Sequence, residues 1–259
     1  MKFKVLNTKK KNSFFKSYFK KFGLDEILVS KNFHKRSINQ MQVKKPYEPE
    51  LDDLFLLHRY IILFKRMTVL EFGTGWSTLV MANAVRHNKI KYAQNIQNLR
   101  LNNPGEIHTI DNEKKWLKNT KKISKKYSKN IKYYFSEAYM NSLNGKICTS
   151  FKKLPKINPD FIYLDGPDQF NIKGNKFGIN LNHKDLMPMS SDLLRIEHFL
   201  KPGTILVVDG RAANSRFLKS NFQRKWKYSY NRTNDQHIFY LNEEPLGLLN
   251  QKQLNFYFK

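Results

Sequence analysis

The stretch Val69-Leu70-Glu71-Phe72-Gly73-Thr74-Gly75-Trp76-Ser77-Thr78 sets a short β-forming run against a glycine-rich turn that opens a helix. Val69 to Phe72 read as a strand, and Gly73 and Gly75 permit backbone angles and a closeness of approach that a Cβ would forbid. From Ser77 onward Leu79, Val80, Ala84 and Val85 recur at helical spacing. A strand–turn–helix of this kind points backbone N–H groups at whatever lies over it, so a small cofactor or nucleotide is expected there. No Gly-Lys-Ser/Thr follows, which excludes a P-loop, and Thr78 stands where a full G-x-G-x-x-G would have its third glycine. Glu71 would repel a pyrophosphate but accept hydrogen bonds from an amino group or a ribose, so a neutral or cationic ligand is expected. The alternative is a turn that only lets a crossover helix pack closely on its sheet.

Outward from this turn, strand and helix alternate. Asp52 to Phe64 reads as a helix leading into the first strand, after an entry turn marked by Pro46 and Pro49. Further strands are expected at Ile107–Ile110, Ile131–Phe135, Phe161–Leu164 and Thr204–Val208, with a basic helix over Lys114–Lys129 and another helix around 190–200. Trp226–Tyr230 and His237–Leu241 have the alternation of an antiparallel pair at a sheet edge. Strands separated by helices argue a parallel sheet covered on both faces, with ligands outside the carboxyl ends of the strands. Glu71, Asp111, Asp165 and Asp209 all fall at or near such ends, on one rim. Each alone would be an ordinary helix-capping residue.

With 259 residues and 40% hydrophobic composition the chain can bury one substantial core. No apolar run reaches transmembrane length, and the basic N-terminus lacks an apolar core of signal-peptide size. The single cysteine, Cys148, excludes an internal disulfide framework and a Cys-cluster zinc site. A cytoplasmic protein is expected. The formal charge of +26 attracts nucleic acid or anionic lipid non-specifically. Most of the excess is Lys, spread along the chain beside many Asn, a pattern that A-rich codons alone would produce. Residues 1–45 carry thirteen Lys and Arg against Asp25 and Glu26. Within them Phe14, Phe15, Tyr18, Phe19 and Phe22 form a stripe at helical spacing. Such a helix packs on its parent domain, on a second subunit as a homodimer contact, or on an anionic membrane surface.

Together these segments resemble the class I S-adenosylmethionine-dependent methyltransferases, nearest in style to small-molecule O-methyltransferases. VLEFGTGWST is similar to their motif I, Asp111 in HTIDNE to the acid that accepts both ribose hydroxyls, DFIYLDGPD to the strand-four segment, and KPGTILVVDG to the turn and strand five. Ser136, Glu137 and Ala138 lie where the loop after strand three borders the adenine. The resemblance covers roughly residues 50–241. It implies a Rossmann-like, doubly wound α/β sheet of about seven strands, mostly parallel with an antiparallel C-terminal strand, over residues 46–259, with residues 1–45 as a basic helical extension. It also implies S-adenosyl-L-methionine held by Glu71, Gly73, Thr74, Gly75, Trp76, Ser77, Asp111, Ala138 and Asp165.

LDGPD departs from the N/D-P-P-Y/F of adenine N6-methyltransferases and is closer to O-methyltransferases in which strand-four and strand-five carboxylates hold a divalent metal. Asp165, Asp168 and Asp209 could supply such oxygen ligands, but Gly210 stands where those enzymes have Asn, leaving the set one oxygen short. Methyl transfer to a hydroxyl needs positioning and a base. Asp165, Asp168 and His183 are the catalytic candidates, with Asp185 and His237 as further bases. Residues 167–189 are expected to cover the acceptor. The expected acceptor is a small polar metabolite or sugar. RNA is the alternative, although no separate nucleic-acid module is recognisable, and a non-catalytic basic binding protein retaining the fold is another.

Overall fold

The computed structural model describes residues 3–29, 47–181 and 189–258. In chain order the elements are α1 (Asn12–Lys21), α2 (Glu26–Val29), α3 (Leu51–Leu63), β1 (Thr68–Phe72), α4 (Trp76–Lys91), α5 (Ala93–Ile96), β2 (Glu106–Asp111), α6 (Lys114–Ile123), β3 (Ile131–Phe135), β4 (Ala138–Leu143) and β5 (Lys146–Phe151). They continue with β6 (Phe161–Leu164), β7 (Ile172–Lys173), α7 (Asp192–Ile196), β8 (Ile205–Asp209), α8 (Ala212–Asn221), β9 (Trp226–Asn231), β10 (Gln236–Leu241) and α9 (Gly247–Phe258).

All five residues of β1 are buried, as a central parallel strand covered on both faces requires. The main sheet has the order β3-β2-β1-β6-β8-β10-β9. Its first five strands are parallel, and β10 runs antiparallel to both β8 and β9. The late antiparallel pair forms one edge of the sheet, as expected, with β10 against β8 and β9 outermost. One face is covered by α1, α3 and α4, whose Phe19, Leu57 and Val80 share a core with Val69 and Val207. The other is covered by α7, α8 and the β4–β5 hairpin, with Leu193, Leu218 and Phe151 against Leu70 and Leu206. The basic segment expected as one helix is two pieces. α6 ends at Ile123, where the Ser124 hydroxyl donates back to the Thr120 carbonyl, and a 3-10 turn follows over Lys125–Asn130.

The aromatic stripe of α1 packs on α3 of the same chain. Phe15 and Phe19 are buried, and the Tyr18 hydroxyl pairs with His58 Nδ1 at 2.6 Å. Those two rings are consequently closed to a membrane or a second subunit, whereas Phe14 remains 40% exposed. The strand after the third, unrecognised in the sequence, opens a second sheet of order β5-β4-β7. At the amino end of the main sheet, Asp160 accepts the Met67 and Thr68 N–H groups and the Tyr257 hydroxyl, fastening α9. Among the described residues no helix is long and apolar enough to cross a membrane.

Candidate active site

A cleft of about 660 Å³ opens over the carboxyl ends of β1, β2, β6 and β8. Its floor is the β1–α4 turn, where Gly73, Thr74, Gly75, Trp76 and Ser77 all line it. Gly73 has φ +89°, a conformation that favours glycine, and a Cβ there would stand 3.1 Å from the Asp165 carbonyl group. Gly75 is different. Its backbone is extended, and a Cβ would project into open space, so its hydrogen leaves room for a ligand to approach the chain.

Glu71 does not face this cleft. It is fully buried, and its two oxygens accept from Ser77 Oγ and Thr78 Oγ1, each at 2.6 Å. Thr78 Oγ1 also accepts the Gly75 N–H at 3.1 Å. Burial pushes the Glu71 carboxyl up to about 7, against the opposing pull of those hydroxyls. The expectation that Glu71 meets the ligand is thus corrected. Strand alternation turns its side chain under the turn, where it braces the glycines from within.

Asp111 lines the cleft beside the turn. One of its oxygens accepts the Glu113 N–H at 2.8 Å, and burial raises its carboxyl to about 8. Asp165 lies on the opposite wall, with Arg211 Nε 3.4 Å from its Oδ1, and Arg211 also donates to the Asp165 carbonyl oxygen at 2.6 Å. Asp168 lines the cleft too, but its oxygens accept the Phe170 N–H at 2.8 Å and the Trp116 indole N–H at 3.2 Å. Its carboxylate therefore shapes the segment 168–171. Asn112 holds the same segment, donating to the carbonyl oxygens of Asp168 and Asn171 and accepting the Asp168 N–H.

Ala138 does not reach the cleft. It is buried at the start of β4, paired with Phe151 and Ile172, because the chain after β3 is drawn into the second sheet. Trp116, Gln169 and Phe170 occupy the wall instead. His237 is 3% exposed, pairs its Nδ1 with the Tyr228 hydroxyl, and lines no part of the cleft. His183 and Asp185 lie outside the described residues. Of the expected cover, residues 168–171 line the cleft, whereas Phe177 is 70% exposed and does not. Among the described residues no three acidic, His or Cys side chains are grouped to hold a metal ion, the trio Asp165, Asp168 and Asp209 included.

Sequence reasoning missed four contributors. Asp53, from the first turn of α3, and Tyr163, from the middle of a buried strand, both line the cleft, as do Trp116 and Arg211. The sequence marks Asp53 only as an acid at a helix start and Tyr163 only as one of a run of strand residues. Eight carboxylates line the cleft, those of Glu48, Glu50, Asp53, Asp111, Glu113, Asp165, Asp168 and Asp209, against the cations Lys115 and Arg211. Eight of the chain's 21 acids thus lie at this opening, in a chain whose formal charge is +26. Lys114, Lys118, Lys121, Lys122, Lys125 and Lys126 are exposed and line no part of it.

Among solved structures, the chain is similar to cofactor-bound Rv0187 from MTB, at 12% identity over 90% of this chain and 96% of that one, with a TM-score of 0.44. It is also similar to the O-methyltransferase TomG from Streptomyces achromogenes, involved in tomaymycin synthesis and solved in complex with SAM, at 12% identity over 92% and 93% of the two chains, with a TM-score of 0.38. An O-methyltransferase from Bacillus cereus in complex with SAH aligns at 14% identity over 91% and 93%, again with a TM-score of 0.38. No curated protein matches the sequence. Residues 70–210 match the family described as a methyltransferase domain, from the first strand through the fifth parallel one. That match spans more than half of the chain, which therefore belongs to the methyltransferase domain family, with the Rossmann-like sheet of class I methyltransferases.

Proposed function

We propose that this chain transfers a methyl group from S-adenosylmethionine to a hydroxyl of a small polar metabolite or sugar. The observation that carries the reading is one cleft in which the β1–α4 glycine turn, Asp111 and the carboxylate-rich wall around Asp165 face one another. The residues present suit the donor. Gly75 leaves backbone room that a side chain would fill, Asp111 presents a carboxylate able to accept ribose hydroxyls, and an acidic cleft favours a cationic sulfonium. When bound, that group supplies an electrophilic methyl carbon, which passes to the acceptor oxygen while the sulfur keeps the C–S electron pair.

The chain's own part is to hold the hydroxyl in line and take its proton. Asp165 is assigned the proton, because its side chain lines the cleft and is about half exposed at the rim. Arg211 positions it by gripping the Asp165 and Pro167 carbonyl oxygens. Asp168 and Asn112 fix the segment that closes the cleft on the Phe170 side, which limits water at the reacting atoms. The acidic lining also favours a small acceptor over RNA, whose phosphates it would repel. Calorimetry with S-adenosylmethionine and with NAD, followed by a screen of acceptors with labelled methyl donor, tests the reading. Binding of NAD but not of the methyl donor would overturn it, and methylation of a defined RNA at elevated salt would overturn the acceptor class.

A further inference from the structure

We infer that the end of the molecule opposite the cleft docks on an anionic lipid bilayer. A lipid phosphate sits in a groove between α5 and α9, and the leucines of the turn that opens α9 enter the acyl chains. This surface is separate from the cleft and does not depend on the reaction proposed there.

The groove has a volume of about 340 Å³, and Lys65, Asn95, Asn98, Lys252, Asn255 and Phe256 line it. Lys65 directly precedes β1, and α4 carries the chain back to the same end before Asn95 and Asn98, so the groove lies at the amino end of the parallel strands. Among the described residues no carboxylate lines it. Lys65 Nζ lies 5.3 Å from the centre of the Phe256 ring and 5.4 Å from that of Tyr92, and Lys91 Nζ lies 5.3 Å from Tyr92. Cations here gather over rings. Asn255 Oδ1 accepts from Gln251 Nε2 at 3.2 Å, which leaves its amide N–H groups to donate. Ammonium groups and side-chain amides together suit the charge and the acceptor oxygens of a phosphate.

Exposed leucines stand beside this groove. Leu246 is 63% exposed, Leu248 81% and Leu249 48%. The buried Asn250 fixes the turn that bears them, accepting the Leu246 N–H at 3.0 Å and donating to the Pro202 carbonyl oxygen at 3.4 Å. Helical spacing places Leu248, Lys252 and Asn255 along one ridge of α9, while Asn250, Gln253 and Tyr257 are buried on the other side. Lys252 is therefore about 6 Å, and Asn255 about 10 Å, farther along the axis than Leu248. Apolar side chains of an interfacial helix reach about 5–10 Å into the boundary between headgroups and acyl chains, so leucines at that depth set the groove among the phosphates. A lipid presents both chemistries, whereas RNA or free phosphate leaves the leucines in water. Charge sets the orientation. Eight carboxylates line the cleft at the other end, so an anionic surface attracts the groove and leaves the cleft open to water.

The test sediments the full chain with phosphatidylcholine vesicles, with and without phosphatidylglycerol, at about 0.15 M salt, where remote charges are screened. Anionic vesicles are expected to bind at least about tenfold more tightly than neutral ones. Lys65→Gln with Lys252→Gln should weaken that binding by about tenfold or more. Lys114→Gln with Lys118→Gln removes the same charge from the exposed face of α6 and should change it by about twofold or less. Leu248→Ser with Leu249→Ser should weaken it by about fivefold or more, and Leu248→Trp should add fluorescence that brominated acyl chains quench. Lys252→Glu, at an exposed position, serves if the first lysine pair lowers the melting temperature. Equal losses from the two lysine pairs would reduce the attraction to net charge and overturn the inference. So would unquenched fluorescence from Leu248→Trp, or binding of inorganic phosphate or a defined RNA through Lys65 and Lys252 without binding of vesicles.

Discussion

Thr78 Oγ1 donates to Glu71 Oε2 at 2.6 Å, so the acid at the end of the first strand is tied to the helix that follows the glycine turn rather than to a ligand. The same hydroxyl accepts the Gly75 N–H, which makes Glu71 and Thr78 one bracket across Gly73 and Gly75. Charge-assisted hydrogen bonds of this kind are short and roughly twice as strong as neutral ones.

The bracket predicts coupling at a distance from the cleft. Glu71→Gln keeps the volume but replaces an acceptor oxygen with an amide donor, so it should weaken S-adenosylhomocysteine binding by about tenfold. A double-mutant cycle with Thr78→Val should return a coupling energy of about 1 kcal/mol or more. Additive effects in calorimetry would show that the two residues act separately.

The two glycines should fail in different ways. Gly73→Ala forces a Cβ into a left-handed conformation and against the Asp165 backbone, so it should lower stability by about 1–3 kcal/mol along with binding. Gly75→Val meets no neighbour within 4 Å and needs no unusual φ. Its melting temperature should stay near that of the parent while donor affinity falls by about tenfold or more. A matched loss of stability in both variants would contradict this division.

Stability should fall as pH rises from 6.5 to 8. The buried Asp111 carboxyl is raised to about 8 and that of Glu71 to about 7, so the folded chain holds protons that the unfolded chain has already released. Their contribution is complete below the unfolded carboxylate values and is lost as pH climbs through the folded ones. His58, lowered by burial to about 4, works in the opposite sense, but only below about 6.5. Between pH 6.5 and 8 the loss attributable to Asp111 is on the order of 2 kcal/mol, several degrees in melting temperature. Thermal melts of the ligand-free protein should show it, and Asp111→Asn should flatten the slope. A melting temperature that rises across this window would refute the assignment.

A change at the far end of the sheet should leave binding alone. Tyr257 donates to Asp160 Oδ2 at 2.7 Å beneath the amino ends of the strands, with Arg66 stacked over its ring. Tyr257→Phe removes one buried hydrogen bond to a carboxylate and should cost about 1–3 kcal/mol in urea unfolding, with donor affinity within about twofold of the parent. A selective loss of donor binding would place α9 in the function of the cleft.

The parallel strands were legible in the amino-acid sequence because their signals are local. Val69–Phe72, Ile107–Ile110, Ile131–Phe135 and Phe161–Leu164 are short apolar runs bounded by turn residues, and the structure places β1, β2, β3 and β6 there to within one residue at either end. Gly73, Gly75, Asp111 and Asp165 were readable for the same reason, since each sits at a fixed offset from a strand end. Side-chain direction at the rim was less accessible. Nothing local distinguishes Glu71, turned under the glycines, from Asp111, facing the cleft, until α4 and the neighbouring strands are in place. Tertiary structure alone decided that β10 and not β9 lies against β8, and that Asp53 meets Gln236, 183 positions away in the chain. Such pairings depend on which buried surfaces find one another once the sheet has formed, and that information is spread over residues with no common spacing.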